Sequence, residues 1–134
     1  MRNKPILLIL GLITLIGLAG CEQTSENPDP VGVIEANPED YPYLQEQLFQ
    51  LIVSENREPF AALHRIDYEK GQVTVAIEYQ RDAQDDIRWA VNTLSGDIQV
   101  DLEGTMQASL PLKALLDLAQ HPRVNFIRVP VRVR

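Results

Sequence analysis

Residues 72–129 read QVTVAIEYQ RDAQDDIRWA VNTLSGDIQV DLEGTMQASL PLKALLDLAQ HPRVNFIRV, and their hydrophobic period switches between two and 3.6. Val73, Val75, Ile77 and Tyr79 alternate with polar or small residues, as in a strand with one buried face. After Arg81 the apolar residues fall at Ile87, Ala90, Val91 and Leu94, a helical stripe. Asp82 suits the N-cap of that helix, Asp85 and Asp86 suit a first turn where negative charge favours the dipole, and Gly96 suits its end. Alternation returns at Ile98, Val100 and Leu102. Gly104 then turns the chain into a second alternating run at Met106, Ala108 and Leu110. Pro111 stands where a helix accepts proline, and Leu112, Leu115, Leu116 and Ala119 form one apolar face that stops before His121-Pro122. Val124, Phe126, Ile127 and Val129 make a last strand. The order is βαββαβ. Because crossovers between parallel strands are right-handed, both helices are expected on one face of an antiparallel sheet, an α+β architecture.

On the N-terminal side, Ala62, His64, Ile66 and Tyr68 alternate with Leu63, Arg65 and Asp67, and Glu69-Lys70-Gly71-Gln72 reads as a turn. A hairpin strand pairing with Val73–Tyr79 is expected there. Further back, Tyr41, Leu44, Leu48, Leu51 and Ile52 are spaced for a helix over residues 41–55, with Asp40 as cap and Pro42 in its first turn. Residues 41–134 are thus expected to form one α+β domain, with an extra N-terminal helix and hairpin strand added to the βαββαβ unit. The stretch from Glu22 to Asp40, EQTSENPDPVGVIEANPED, is polar, proline-containing and without period. It reads as a linker able to reach at most about 65 Å.

Arg2 and Lys4 precede an apolar run from Ile6 to Ala19, which is short of the roughly 20 residues needed to span a bilayer. The run ends in Leu18-Ala19-Gly20-Cys21, which resembles the bacterial lipobox. That resemblance implies a signal peptide over residues 1–20, cleavage before Cys21, and lipidation of Cys21 with a diacylglyceryl group and an amide-linked acyl chain such as palmitate. Residues 21–40 would then be the lipidated cysteine and its linker. Cys21 is the only cysteine, so no internal disulfide competes for it, and two or more acyl chains anchor stably where one does not. The location implied is the cell envelope, outside the cytoplasm. Glu22 is compatible with outer-membrane sorting.

Removing Arg2 and Lys4 takes the twelve basic side chains to ten, against nineteen acidic ones. Such a balance argues against nucleic acid as a partner. Basic residues are nonetheless concentrated at the C-terminus, where Arg123, Arg128, Arg132 and Arg134 occur without Asp or Glu among the last twelve residues. Arginine alternates with valine around Pro130, so Arg128, Val129, Pro130, Val131, Arg132, Val133 and Arg134 are the candidate partner-binding residues, read as an edge segment able to meet another chain.

Gln107-Ala108-Ser109-Leu110, followed by Leu115, Leu118, Pro122, Val124 and Ile127, resembles the second half of the subtilisin propeptide domain of the peptidase-inhibitor family. The likeness covers about thirty residues. It implies a ferredoxin-like fold, in agreement with the βαββαβ order, and a domain that packs its sheet on a subtilisin-like protease while laying its C-terminal tail, here Val129–Arg134, through the active-site cleft. No protease domain follows Arg134 in this sequence, so the target would be a separate protein. Residues 41–68 have no counterpart in the family pattern.

Catalysis finds little support. His64 falls on the expected strand face shared with Ile66 and Tyr68, and His121 ends a helix where a cation suits the dipole. Neither stands near a nucleophile in the sequence. Asp82, Asp85 and Asp86 lack the spacing of a calcium loop, no Cys or His pair has zinc spacing, and Gly71, Gly96 and Gly104 are isolated turn residues rather than a phosphate loop. Trp89 is expected at the edge of the core. The expectation is therefore no catalytic residue, no metal and no cofactor. The function expected is that of a membrane-anchored, non-catalytic protein-binding lipoprotein. Its alternatives are a propeptide-like inhibitor of a subtilisin-like serine protease and a structural envelope lipoprotein without a dedicated ligand.

Overall fold

In the computed structural model, which describes residues 31–132, the sheet is organised around its most apolar strand. Strand β1 spans Tyr68–Glu69, β2 Gln72–Tyr79, β3 Asp97–Leu102, β4 Thr105–Pro111 and β5 Val124–Arg128. The helices are α1 (Glu46–Val53), α2 (Arg57–Leu63), α3 (Gln84–Thr93) and α4 (Leu112–Ala119). β4 pairs with the length of β2, from Gln72↔Pro111 to Glu78↔Thr105. The other edge of β2 is shared: β1 takes its start, and β5 its end, from Ala76↔Arg128 to Tyr79↔Val124. β3 flanks β4, and every strand pair is antiparallel.

Across β5, β2, β4 and β3, the connections β2–α3–β3 and β4–α4–β5 each step over one intervening strand. Two interleaved βαβ units of this kind make a ferredoxin-like α+β fold. On one face, Val73, Val75, Ile77, Met106, Ala108, Leu110 and Ile127 join Leu48, Leu51 and Ile52 of α1, Ile87 and Val91 of α3, and Leu112, Leu115 and Leu118 of α4 in one core cluster. Each such aliphatic side chain contributes roughly 2 kcal/mol on leaving water, which is what holds the helices to that face. Ala76, pointing to the opposite face, is buried yet lies outside the cluster.

The expected hairpin strand over residues 62–68 is instead the end of α2 and its connection to β1: Ala62 and Leu63 close the helix, His64 and Arg65 turn the chain, and Tyr68 alone of the seven is in a strand. α2 carries Pro59 in its first turn, where no amide donor is needed. It ends in a Schellman motif: Ile66 N–H donates to Ala61 O at 2.8 Å, and Arg65 N–H to Ala62 O at 3.3 Å. Arg65 sits in the left-handed region at φ +57°, the place usually held by glycine. Only Tyr68 and Glu69 reach the sheet, through a two-residue turn in which Lys70 (φ +54°) and Gly71 (φ +81°) are both left-handed, as a type I′ hairpin requires.

Three other boundaries move. The helix expected over residues 41–55 is confined to α1, because Pro38–Asp40 forms a 3-10 turn and Tyr43–Gln45 lies along β5. Gln45 N–H donates to Ile127 O at 2.9 Å, and Ile127 N–H to Tyr43 O at 2.8 Å. Part of the expected linker belongs to the domain: Ile34 is buried in the core cluster. α3 starts after a 3-10 turn at Arg81–Ala83, so Asp82 lies within that turn rather than at the N-cap, and it is Ser95 (φ +65°), not Gly96, that takes the left-handed position at its end. Gly96 is needed for space, because a Cβ there would lie 2.5 Å from Leu110 Cδ2 and 2.9 Å from Val91 O.

Candidate functional site

The second face of the sheet carries the features open to a partner. The register of β3 shifts between Ile98 and Val100, leaving Gln99 as an extra residue opposite β4. This bulge reverses the expected alternation. Ile98, opposite Ala108, faces the helices, whereas Val100 and Leu102, opposite Gln107 and Thr105, turn to the second face and are 42% and 61% exposed. Asp101, opposite Met106, is turned towards α3, where Gln84 Nε2 donates to its Oδ1 at 2.8 Å and Arg88 Nη2 to its Oδ2 at 2.7 Å. The Gln84 hydrogen bond and the Arg88 guanidinium hold the Asp101 carboxyl below its ordinary pKa, against the opposing effect of burial. Nearby, Tyr79 donates to Leu102 O at 2.7 Å, and burial together with the Asp101 charge pushes its phenol up.

At the opposite edge, β5 is not an open strand. Its outer side is taken by Tyr43–Gln45, and Val129 N–H donates to Gln45 Oε1 at 2.7 Å. Nor can the chain continue along β2, because Thr74 N–H already donates to Asp67 O at 2.9 Å. The tail therefore leaves the edge after Arg128. Arg128 itself is held to Glu78 by a 2.8 Å bond across the second face. Val129 packs against the core and Val131 is exposed. Among the described residues, the backbone of Val131 and Arg132 has no hydrogen-bond partner. Val133 and Arg134, and likewise Cys21 with the whole leader, lie outside the described residues.

Where it leaves the edge, the tail meets the end of α2. Two adjoining hollows, of about 580 and 380 Å³, share Arg65, Val129, Pro130 and Arg132. His64 lines the larger, while Asp67, Thr74 and Gln107 line the smaller. Arg65 and Arg132 make no ion pair among the described residues, unlike Arg88, Arg123 and Arg128, each of which faces a carboxylate.

Sequence reasoning singled out the tail but missed Gln45, which positions it, Arg65, which lines the hollows beside it, and a third residue that holds the N-terminal segment. Arg57 is 4% exposed and donates to the carbonyls of Val31, Gly32 and Ile52. It thereby caps the C-terminal end of α1 and fixes the segment that leads to Ile34. No periodicity marks an arginine for such a role.

The remaining candidates fall elsewhere. His64 is the C-cap of α2, with its ring tilted on Phe60 at 4.2 Å between centroids. His121 Nδ1 accepts the Arg123 N–H at 3.1 Å. Asp82 and Asp86 both pair with Arg123, whose hydrogen bond and charge lower the Asp82 pKa, and Asp85 pairs with Arg88. Trp89, expected at the core edge, is 70% exposed on α3. Among the described residues, no three His, Cys, Asp or Glu side chains are placed to hold a metal, and no helix is long and apolar enough to cross a membrane. Compared with protein-family models, curated proteins and solved structures, the chain matches none.

Proposed function

We propose that this protein is a membrane-anchored lipoprotein of the cell envelope, lipidated at Cys21, whose domain acts as a non-catalytic protein-binding module. The anchor rests on the short apolar leader and on Leu18-Ala19-Gly20-Cys21, which resembles a lipobox. The binding role rests on one observation. The sheet has a face outside the core cluster, with Val100 and Leu102 exposed on it, and beside that sheet runs a tail in which the backbone of Val131 and Arg132 has no hydrogen-bond partner among the described residues. Exposed apolar groups beside an unpaired extended segment suit recognition of another chain. The test is cross-linking of the lipidated protein in its own cells, followed by mass analysis. The proposal expects an acylated N-terminal cysteine and a captured protein that is lost on deleting Val129–Arg134. An unmodified Cys21 would remove the anchor, and capture unaffected by the deletion would remove the tail.

A second reading is inhibition of a separate subtilisin-like protease. It is favoured by the ferredoxin-like strand order together with a tail that leaves the last strand. Full-length protein at micromolar concentration that leaves several such proteases fully active would rule it out.

A further inference from the structure

The end of α2 combines two features that stability alone does not ask for. Arg65 occupies a left-handed backbone position at φ +57°, where a side chain with a β-carbon is strained relative to glycine. It also lines both hollows alongside Arg132, and neither guanidinium makes an ion pair among the described residues. Backbone strain kept at a solvent-facing cleft, on a charge that makes no ion pair among the described residues, is the pattern of a binding residue rather than a packing one.

We infer that the cleft between the α2–β1 connection and the C-terminal tail is a binding site for an acidic, extended peptide segment of a partner protein, with Arg65 and Arg132 receiving its carboxylates. The inference rests on the binding-module proposal above and names the chemistry of its partner. Three observations fix the class of ligand. Two guanidiniums, each able to hold a carboxylate through two parallel hydrogen bonds, outnumber the single Asp67 in the hollows, on a chain whose net charge is −7. The unpaired backbone of Val131 and Arg132 offers donors and acceptors to a neighbouring strand. The cleft also has apolar ground in Val129 and Pro130, with Leu63 78% and Val131 75% exposed close by in the chain. An anionic membrane surface fits less well, because the acidic body of the domain would be brought against it.

The experiment uses the full chain in neutral detergent micelles and fluorescence anisotropy with labelled Val-Glu-Val-Glu-Val, its Val-Lys counterpart, and phosphatidylglycerol vesicles as competitor. The glutamate peptide is expected to bind, the lysine peptide not. Arg65→Asn keeps a residue that tolerates the left-handed position, and it should weaken binding roughly tenfold with no loss of thermal stability. Arg132→Gln should weaken binding similarly. Ser95→Gly, which relaxes the matching position at the end of α3, should leave it within about twofold. Equal binding of both peptides, no binding of either, unchanged binding by Arg65→Asn, or displacement by the vesicles would each overturn the inference. A partner captured by cross-linking in cells as strongly with Arg65→Asn as without it would sink this site while leaving the binding module standing.

Discussion

α2 and α3 end in the same backbone motif, yet the two ends serve different purposes. In each, the residue after the C-cap is left-handed, Arg65 in one and Ser95 in the other, and the next amide reaches back to the helix, from Ile66 to Ala61 O and from Gly96 to Val91 O, both at 2.8 Å. The α3 end is closed from outside by Leu110 and the chain has no room to vary there. The α2 end opens on a cleft and carries a charged side chain where glycine would be less strained. One geometry thus anchors the sheet at one site and presents a functional group at the other, and only the surroundings tell them apart.

The largest effect bearing on this contrast is expected at the start of α2. Arg57→Met leaves the carbonyls of Val31, Gly32 and Ile52 without their buried donor, and should cost about 3 kcal/mol in urea denaturation. A cost near zero would mean that the N-terminal segment and α1 are held by apolar packing alone. Gly96→Ala forces a methyl into Leu110, Val91 and a carbonyl oxygen, and should cost about 2 kcal/mol. The α2 end should respond with the opposite sign: Arg65→Gly is expected to gain about 1 kcal/mol, read as a higher Tm. Should Arg65→Gly destabilise instead, the arginine is structural and the contrast collapses. Ser95→Gly should gain about 0.5 kcal/mol, since only the backbone strain is relieved.

The smallest effect concerns the ion pair that ties α3 to β3. Asp101 has a lowered pKa in the folded protein, so its contribution is present above the unfolded carboxylate value of about 3.9 and is lost as pH falls through the lower folded value. The stability advantage of the natural protein over Asp101→Asn should therefore hold at neutral pH and decline as the pH falls from the unfolded carboxylate value of about 3.9 through the lower folded one. Asp85→Asn, which removes the more exposed partner of Arg88, should change stability at neutral pH by less than about 0.5 kcal/mol.

How far the chain could be read depended on whether a residue's role was local. Val73, Val75, Ile77 and Tyr79 announce a strand because their alternation sets four buried apolar side chains on one face, and the stripes of α3 and α4 are equally direct. Residues 62–68 misled for the same reason in reverse. Ala62, His64, Ile66 and Tyr68 alternate, but a helix ends among them, closed by an arginine in the left-handed region, which no glycine signals. β3 misled more subtly: Ile98, Val100 and Leu102 do alternate, but a bulge set by pairing with β4 sends Ile98 to one face and the other two to the opposite one. The tail was visible as a basic stretch. Its departure from the sheet was not, because that depends on Asp67 and Gln45 having claimed the neighbouring positions.

By itself the amino-acid order determined the βαββαβ arrangement, the helical face of the sheet and the expectation of a lipid-bearing leader, all consequences of period, caps and short motifs along the chain. Only the tertiary structure decided that Arg57 rivets two distant segments, that Val100 and Leu102 face outward, and that Arg65 and Arg132 line one cleft. Those facts depend on pairings between residues far apart in sequence, and a hydrogen bond or a bulge across strands leaves no periodic trace in either partner's own neighbourhood.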